Sequence, residues 1–159
     1  MVGFAFRAPV ELKFNLLIFR FGSTRESGVI TSDQERRLYA DRTLESHYHQ
    51  LAGLALKMKD ALVKGELNNF GRLLHDGWEL KKTLSNKISS DHIDDLYNAA
   101  RHAGALGGKV LGAGGGGYLL VYCPPADQSF VIEALQKRGA RQEYFDFVET
   151  GLETWTAKC

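Results

Sequence analysis

Residues 104–117 read Gly-Ala-Leu-Gly-Gly-Lys-Val-Leu-Gly-Ala-Gly-Gly-Gly-Gly and hold 8 of the 17 glycines in the chain. Glycine loses more conformational freedom on folding than any other residue, so such a cluster stabilises nothing by itself. It permits positive φ and an approach to a phosphate or another backbone with no Cβ in between. An apolar run, Tyr-Leu-Leu-Val-Tyr (118–122), follows at once. Gly112–Gly117 satisfies G-x-G-x-x-G, but the dinucleotide fingerprint needs a strand before it and a helix directly after it, and here a strand follows. The P-loop pattern fails too, because Gly108-Lys109 is followed by Val110 and not by Ser or Thr. A flexible hairpin is the plain alternative. Four consecutive glycines beside Gly-Gly-Lys exceed what a turn needs, which favours close approach to a phosphate or a partner loop.

The rest of the chain sets the frame for that segment. Its 159 residues, 44% hydrophobic, suffice for one ordinary core, so residues 1–159 read as a single domain. With 20 basic and 19 acidic residues there is no global field pointing to nucleic acid or anionic lipid. No apolar stretch approaches the ~20 residues of a membrane span. Two cysteines, Cys123 and Cys159, form no CxxC pair or disulfide framework. Together with an N-terminus lacking the apolar region of a secretory signal, they set the expectation of a cytoplasmic protein.

Residues 12–21 run from alternation into a continuous apolar stretch, which predicts a strand central in its sheet. Ser32 and Glu35 have the spacing of a capping box. Behind them Leu44, Tyr48, Leu51, Ala55, Met58 and Leu62 recur at spacings of four and three, predicting a long helix to Gly65. A second helical stripe carries Leu67, Phe70, Leu74 and Trp78. A third helix starts at Ser90 and stops at Gly104. After the strand 118–122, the chain predicts a helix over 127–138, a strand over 141–148 and a further short strand over 151–156. Strand, three helices, strand pair, helix and strand make an α+β fold with an antiparallel sheet.

Few other residues carry chemistry. Lys109 beside bare amides would suit a phosphate, or it would cap a sheet edge; both readings stand. Trp78 shares the stripe of Leu67 and Leu74, which predicts core packing, with Lys81 and Lys82 solvated. His47 and His49 are two apart and point to different sides of a helix, unsuited to a shared metal. His75, His92 and His102 read as isolated on helical surfaces, and Cys123 as a small core hydrophobe.

The segment 104–118 resembles the third conserved motif of the GHMP kinases. Leu73–Leu84 (Leu-Leu-His-Asp-Gly-Trp-Glu-Leu-Lys-Lys-Thr-Leu) and Ile93–Ala100 (Ile-Asp-Asp-Leu-Tyr-Asn-Ala-Ala) are similar to the heptose-phosphate kinase and fucokinase branch. The resemblance runs from about residue 14 to the end. It implies a ferredoxin-like C-terminal domain, with helices on one face of the sheet and additional helices inserted. The family's N-terminal domain carries a Pro-x-x-x-Gly-x-x-Ser-Ser phosphate loop, and that pattern does not occur in these residues. The chain therefore resembles the C-terminal half of a kinase that transfers the γ-phosphate of ATP, with Mg²⁺, to a hydroxyl of a sugar or sugar phosphate. No residue of this half is assigned catalytic. Gly112, Ala113, Gly114, Gly115, Gly116 and Lys109 would line the phosphate cleft. Arg25 and Ser27 match a Thr-Gly-x-x-Arg-x-Ser stretch of related kinases and would face the sugar, although Phe21 replaces the usual threonine. The resemblance implies that neither ATP nor Mg²⁺ is held by this half alone, and that its interface meets the N-terminal domain or another copy. The competing expectation is a non-catalytic ferredoxin-like module that binds a ligand or a protein.

Overall fold

The structure, a computed structural model, describes residues 7–22, 27–41, 43–148, 150–152 and 154. Helix α1 (Arg7–Asn15) leads into strand β1 (Leu16–Phe21), followed by helices α2 (Ser27–Ala40), α3 (Thr43–Lys64), α4 (Leu67–Lys82) and α5 (Asp91–His102). Strands β2 (Gly107–Val110) and β3 (Gly117–Tyr122) form a hairpin, and a short 3₁₀ turn (Pro125–Asp127), helix α6 (Gln128–Gln136) and strand β4 (Arg141–Glu143) complete the order. The sheet is antiparallel throughout in the order β2-β3-β1-β4, with β1 central as expected.

Period-two patterning decides which sheet face is buried. Phe19 stands opposite Leu119 and Leu17 opposite Val121. These residues form one cluster with Ile93, Leu96 and Ala100 of α5 and Val131 and Leu135 of α6. The other face carries Leu16, Leu120 and Tyr122, which join Phe70 and Leu74 of α4 in a second cluster. Toward the glycine end this second face is only partly covered: Ile18, Leu120 and Lys109 are half-buried, and Arg20 and Tyr118 exposed. Among the described residues no helix is long and apolar enough to cross a membrane.

Four boundaries differ from the sequence expectation. Residues 12–15 are the end of α1 and not the start of a strand. Asn15 Nδ2 donates to Glu11 O (2.6 Å), and its own carbonyl accepts from Cys123 N (2.8 Å), turning the chain into β1. Ser32 lies inside α2, so the spacing to Glu35 is not a cap; the helix ahead of Gly65 is α3, beginning at Thr43. The last strand ends at Glu143, because β4 pairs only with Ile18–Arg20. Beyond it Asp146 bonds Lys13 at 2.8 Å, drawing the chain across to α1. The expected strand over 151–156 is absent at Gly151, Leu152 and Thr154, and its other residues lie outside those described.

The Ser90 start holds: its hydroxyl accepts from Ile93 N (3.4 Å) and Asp91 and Asp94 occupy the first turn of α5, where the helix dipole favours acids.

Candidate functional site

Residues 111–116 connect β2 to β3, so the glycine segment is a hairpin whose connection is held against other backbone. Gly115 N donates to Ile88 O at 2.9 Å. A Cβ on Gly114, whose φ is +117°, would lie 2.8 Å from the same oxygen. Further back in the hairpin, a Cβ on Gly107 would meet Gly71 O of α4 at 2.0 Å. Bare backbone at these positions lets β2 lie on α4 and the connection lie on the 83–90 loop. The close-approach reading is met by a partner loop of this same chain.

The outer rim is differently placed. Gly112 is exposed and 113–116 half-buried. No backbone carbonyl among the described residues accepts from the N–H groups of Gly112, Ala113 or Gly116. Amides without a backbone partner on a positive-φ connection are donors of the kind that can take an anion.

Lys81 approaches this rim from the last turn of α4, and its Nζ donates to Gly112 O at 2.7 Å. It is half-buried, in contrast to the solvated position expected. Burial, followed by the positive charge of Lys109, pulls its pKa from 10.5 down to about 8. Lys109 stands on β2 opposite Leu120, on the partly covered sheet face. The structure seats Lys81 on the connection through Gly112 O and within electrostatic reach of Lys109; spacing within the glycine segment could not indicate Lys81. Its one signal was the position three residues after Trp78. Trp78 itself is 1% exposed and packs in the core as expected, which fixes the side of α4 that Lys81 leaves by.

The 83–90 loop supporting the glycines is itself tied down. Asp33 of α2 is buried; its carboxylate accepts from Ser85 Oγ (2.6 Å) and Arg36 (2.8 Å) and lies 3.4 Å from Lys87 Nζ. The Ser85 hydrogen bond, with the Lys87 charge, holds its carboxyl below the usual range. Ser85 Oγ also accepts from Lys87 N at 3.1 Å.

Arg25 lies outside the described residues, as does the side chain of Ser27, whose backbone opens α2. His75 is not isolated: its Nδ1 lies 2.8 Å from Tyr97 Oη, with the rings stacked at 9°. Burial raises the Tyr97 pKa, so the phenol stays protonated against the Gly108 backbone. His92 meets Phe21 edge-on, and His47 Nδ1 lies 2.8 Å from Thr83 Oγ1. Cys123 is fully buried, its thiol pushed up to about 12, and is a core residue.

Around the glycine connection the donors are amides and two ammonium groups. Among the described residues no cluster of three or more His, Cys, Asp or Glu could hold a metal, and neither Lys81 nor Lys109 pairs with a carboxylate. That set fits a phosphate and does not fit Mg²⁺.

The family described as GHMP kinases, C-terminal, matches residues 58–141. The D-glycero-alpha-D-manno-heptose 7-phosphate kinase of Campylobacter jejuni is 30% identical over 91% of this chain and 42% of its own length. The bifunctional fucokinase/GDP-fucose pyrophosphorylase of Arabidopsis thaliana is 28% identical over 86% of this chain and 13% of its own. Mevalonate kinase of L. major, solved with R-mevalonate, shares the fold with a TM-score of 0.71, at 19% identity over 77% of this chain and 37% of that one. The chain spans less than half the length of each of these relatives. It belongs to the GHMP kinases and carries their C-terminal domain.

Proposed function

We propose that these residues form the C-terminal half of an ATP-dependent kinase acting on a hydroxyl of a sugar or sugar phosphate. The rim Gly112–Gly116, with Lys109, would face the phosphates being transferred. The observation that carries this reading is the division of labour in the glycine connection. Its inner side is bonded to Ile88 O, while Gly112, Ala113 and Gly116 leave N–H groups without a backbone acceptor among the described residues. Phosphoryl transfer relies on positioning and on stabilising charge over the phosphate oxygens, and preorganised amides beside an ammonium can supply part of that.

Within this chain the amides and ammoniums would orient and neutralise phosphate oxygens, while the 83–90 loop keeps the connection from moving. Magnesium and the base that orients the hydroxyl belong to residues elsewhere in the enzyme. Arg25 and Ser27 are retained as candidates for the sugar, and self-association or an N-terminal kinase domain as partner of the cleft.

The test is complementation. The 159 residues alone are expected to show no ATP-dependent phosphorylation of heptose phosphates or fucose. Mixing or fusing them with the remaining part of the Campylobacter jejuni relative should produce turnover with one of them. Turnover by the chain alone, or a folded fusion inactive on all of these acceptors, would contradict the reading.

A further inference from the structure

The sheet ends on two edge strands, β2 and β4. The first lies on α4 through Gly107. Among the described residues β4 has only β1 beside it, and its far edge is left without a strand. The ladder shows which way its backbone groups point. Cys123 N donates to Asn15 O at 2.8 Å, in the register that sets Leu17 opposite Val121 and Phe19 opposite Leu119. Bonded pairs in an antiparallel ladder recur at every second residue, so Phe19 directs its N–H and C=O to β3, and Ile18 and Arg20 turn theirs to β4. Their opposites, Glu143 and Arg141, therefore face β1. Gln142 between them turns its N–H and C=O away from the sheet. Such groups on an edge strand are a template for one strand more.

The side chains state which strand fits. Arg141 and Glu143 share one face of β4, and Arg20 of β1 stands directly opposite Arg141. Like charges directly opposite are destabilising in a sheet. Arg20 is compensated by Glu143 at 3.2 Å, whereas Arg141 forms no ion pair among the described residues. Read antiparallel about Gln142, the run Arg141-Gln142-Glu143 is its own charge complement. A second copy related by a two-fold axis at Gln142 would set its Glu143 opposite Arg141 and its Arg141 opposite Glu143. The two Gln142 residues would exchange their outward N–H and C=O groups. Two positions on, Tyr144 would stand opposite Ala140 of the second copy. Tyr144 is 98% exposed, at the side of a groove of about 510 Å³ lined also by Gln136, Gly139, Ala140 and Gln142. The Ala140 side chain is buried and Gly139 has none, so the groove has room for a ring.

We propose that the chain self-associates through β4, two copies pairing their edge strands antiparallel about Gln142 and joining two four-stranded sheets into one. The contact is isologous: each copy gives and receives the same groups, so it closes at two copies. It does not rest on the kinase reading and is distinct from association across the cleft. β4 is the edge opposite β2, so the pairing leaves the glycine connection uncovered.

The experiment is sedimentation velocity of the 159-residue chain. From about 1 µM to about 1 mM, the range of weak contacts between small surfaces, it should show a reversible equilibrium of monomer and dimer. Gln142→Pro removes an outward N–H without breaking the ladder to β1, and should abolish the dimer. Arg141→Glu sets acid against acid twice across the axis, and Glu143→Arg base against base. Each should weaken the dimer by about tenfold. An equimolar mixture of these two variants should recover it, because unlike charges then face one another in both pairs. A disturbed monomer cannot produce that recovery. A chain monomeric throughout the range, a dimer unmoved by all three substitutions, or a mixture that associates no better than its components overturns the proposal. Should Gln142→Pro not fold, the charge exchange, confined to side chains at the surface, carries the test.

Discussion

Lys81 keeps its proton in the unfolded chain to about pH 10.5, but in the folded chain only to about 8. Between those values the unfolded state binds the extra proton, so this group's contribution to stability rises with pH. Cys123 and Tyr97, whose pKa values burial raises, act in the opposite sense at higher pH, so the effect is isolated by comparison with a variant. The unfolding free energy of the parent relative to Lys81→Met is expected to grow from pH 8 to 10, measured by urea denaturation. A flat difference would mean that the ammonium is fully solvated. Two glycines give a contrast at the same scale. Gly107→Ala must drive β2 from Gly71 O and is expected to cost about 3 kcal/mol. Gly112→Ala meets open space and pays only for its φ of +74°, about 1 kcal/mol. Equal losses in urea unfolding would contradict this.

Between elements, the Asp33 cluster links α2 to the loop on which the glycine connection rests. Asp33→Asn weakens the bond to Ser85 and the attraction of Lys87, so backbone amides of 111–116 are expected to exchange faster with deuterium. Those of β3 should keep their protection. Uniform acceleration of both would reduce Asp33 to a general stabiliser. The pH dependence has a definite sign. The folded pKa of Asp33 lies below its ordinary 3.8, so its stabilisation is complete above that value and disappears as pH falls through the folded pKa. Asp33→Asn should therefore flatten part of the acid limb of the stability curve. Sequence alone made Ser32 and Glu35 conspicuous at this point, yet the working residue is Asp33 between them. Its partner Ser85 is 52 positions away, beyond the reach of any spacing rule.

For the molecule as a whole, stability is concentrated where both neighbours of β1 meet it. Phe19 is fully buried opposite Leu119 and Gln142. Phe19→Ala is expected to cost about 3–5 kcal/mol in thermal or urea unfolding. Phe14, 69% exposed on α1, falls within the same apolar-looking stretch of sequence. Phe14→Ala should stay within about 0.5 kcal/mol. Comparable losses at both sites would restore the longer strand that alternation suggested.

That pair marks how far the sequence reached. Period-two alternation and helical stripes placed β1, β3 and helices α3 to α6, because each element buries a face that its own periodicity encodes. The glycine cluster announced close backbone approach by composition, and its motif, with those of 73–84 and 93–100, carried the family. The tertiary structure decided what the glycines approach, since Ile88 and Gly71 come near only after α4 and β2 have packed. It also decided that Lys81 is half-buried beside Lys109 and that His75 has a partner in Tyr97. A lysine or histidine looks the same in sequence whether water or a second side chain faces it. Local patterns encode which face of an element is apolar; desolvation and charge pairing arise between elements and exist only once they are assembled.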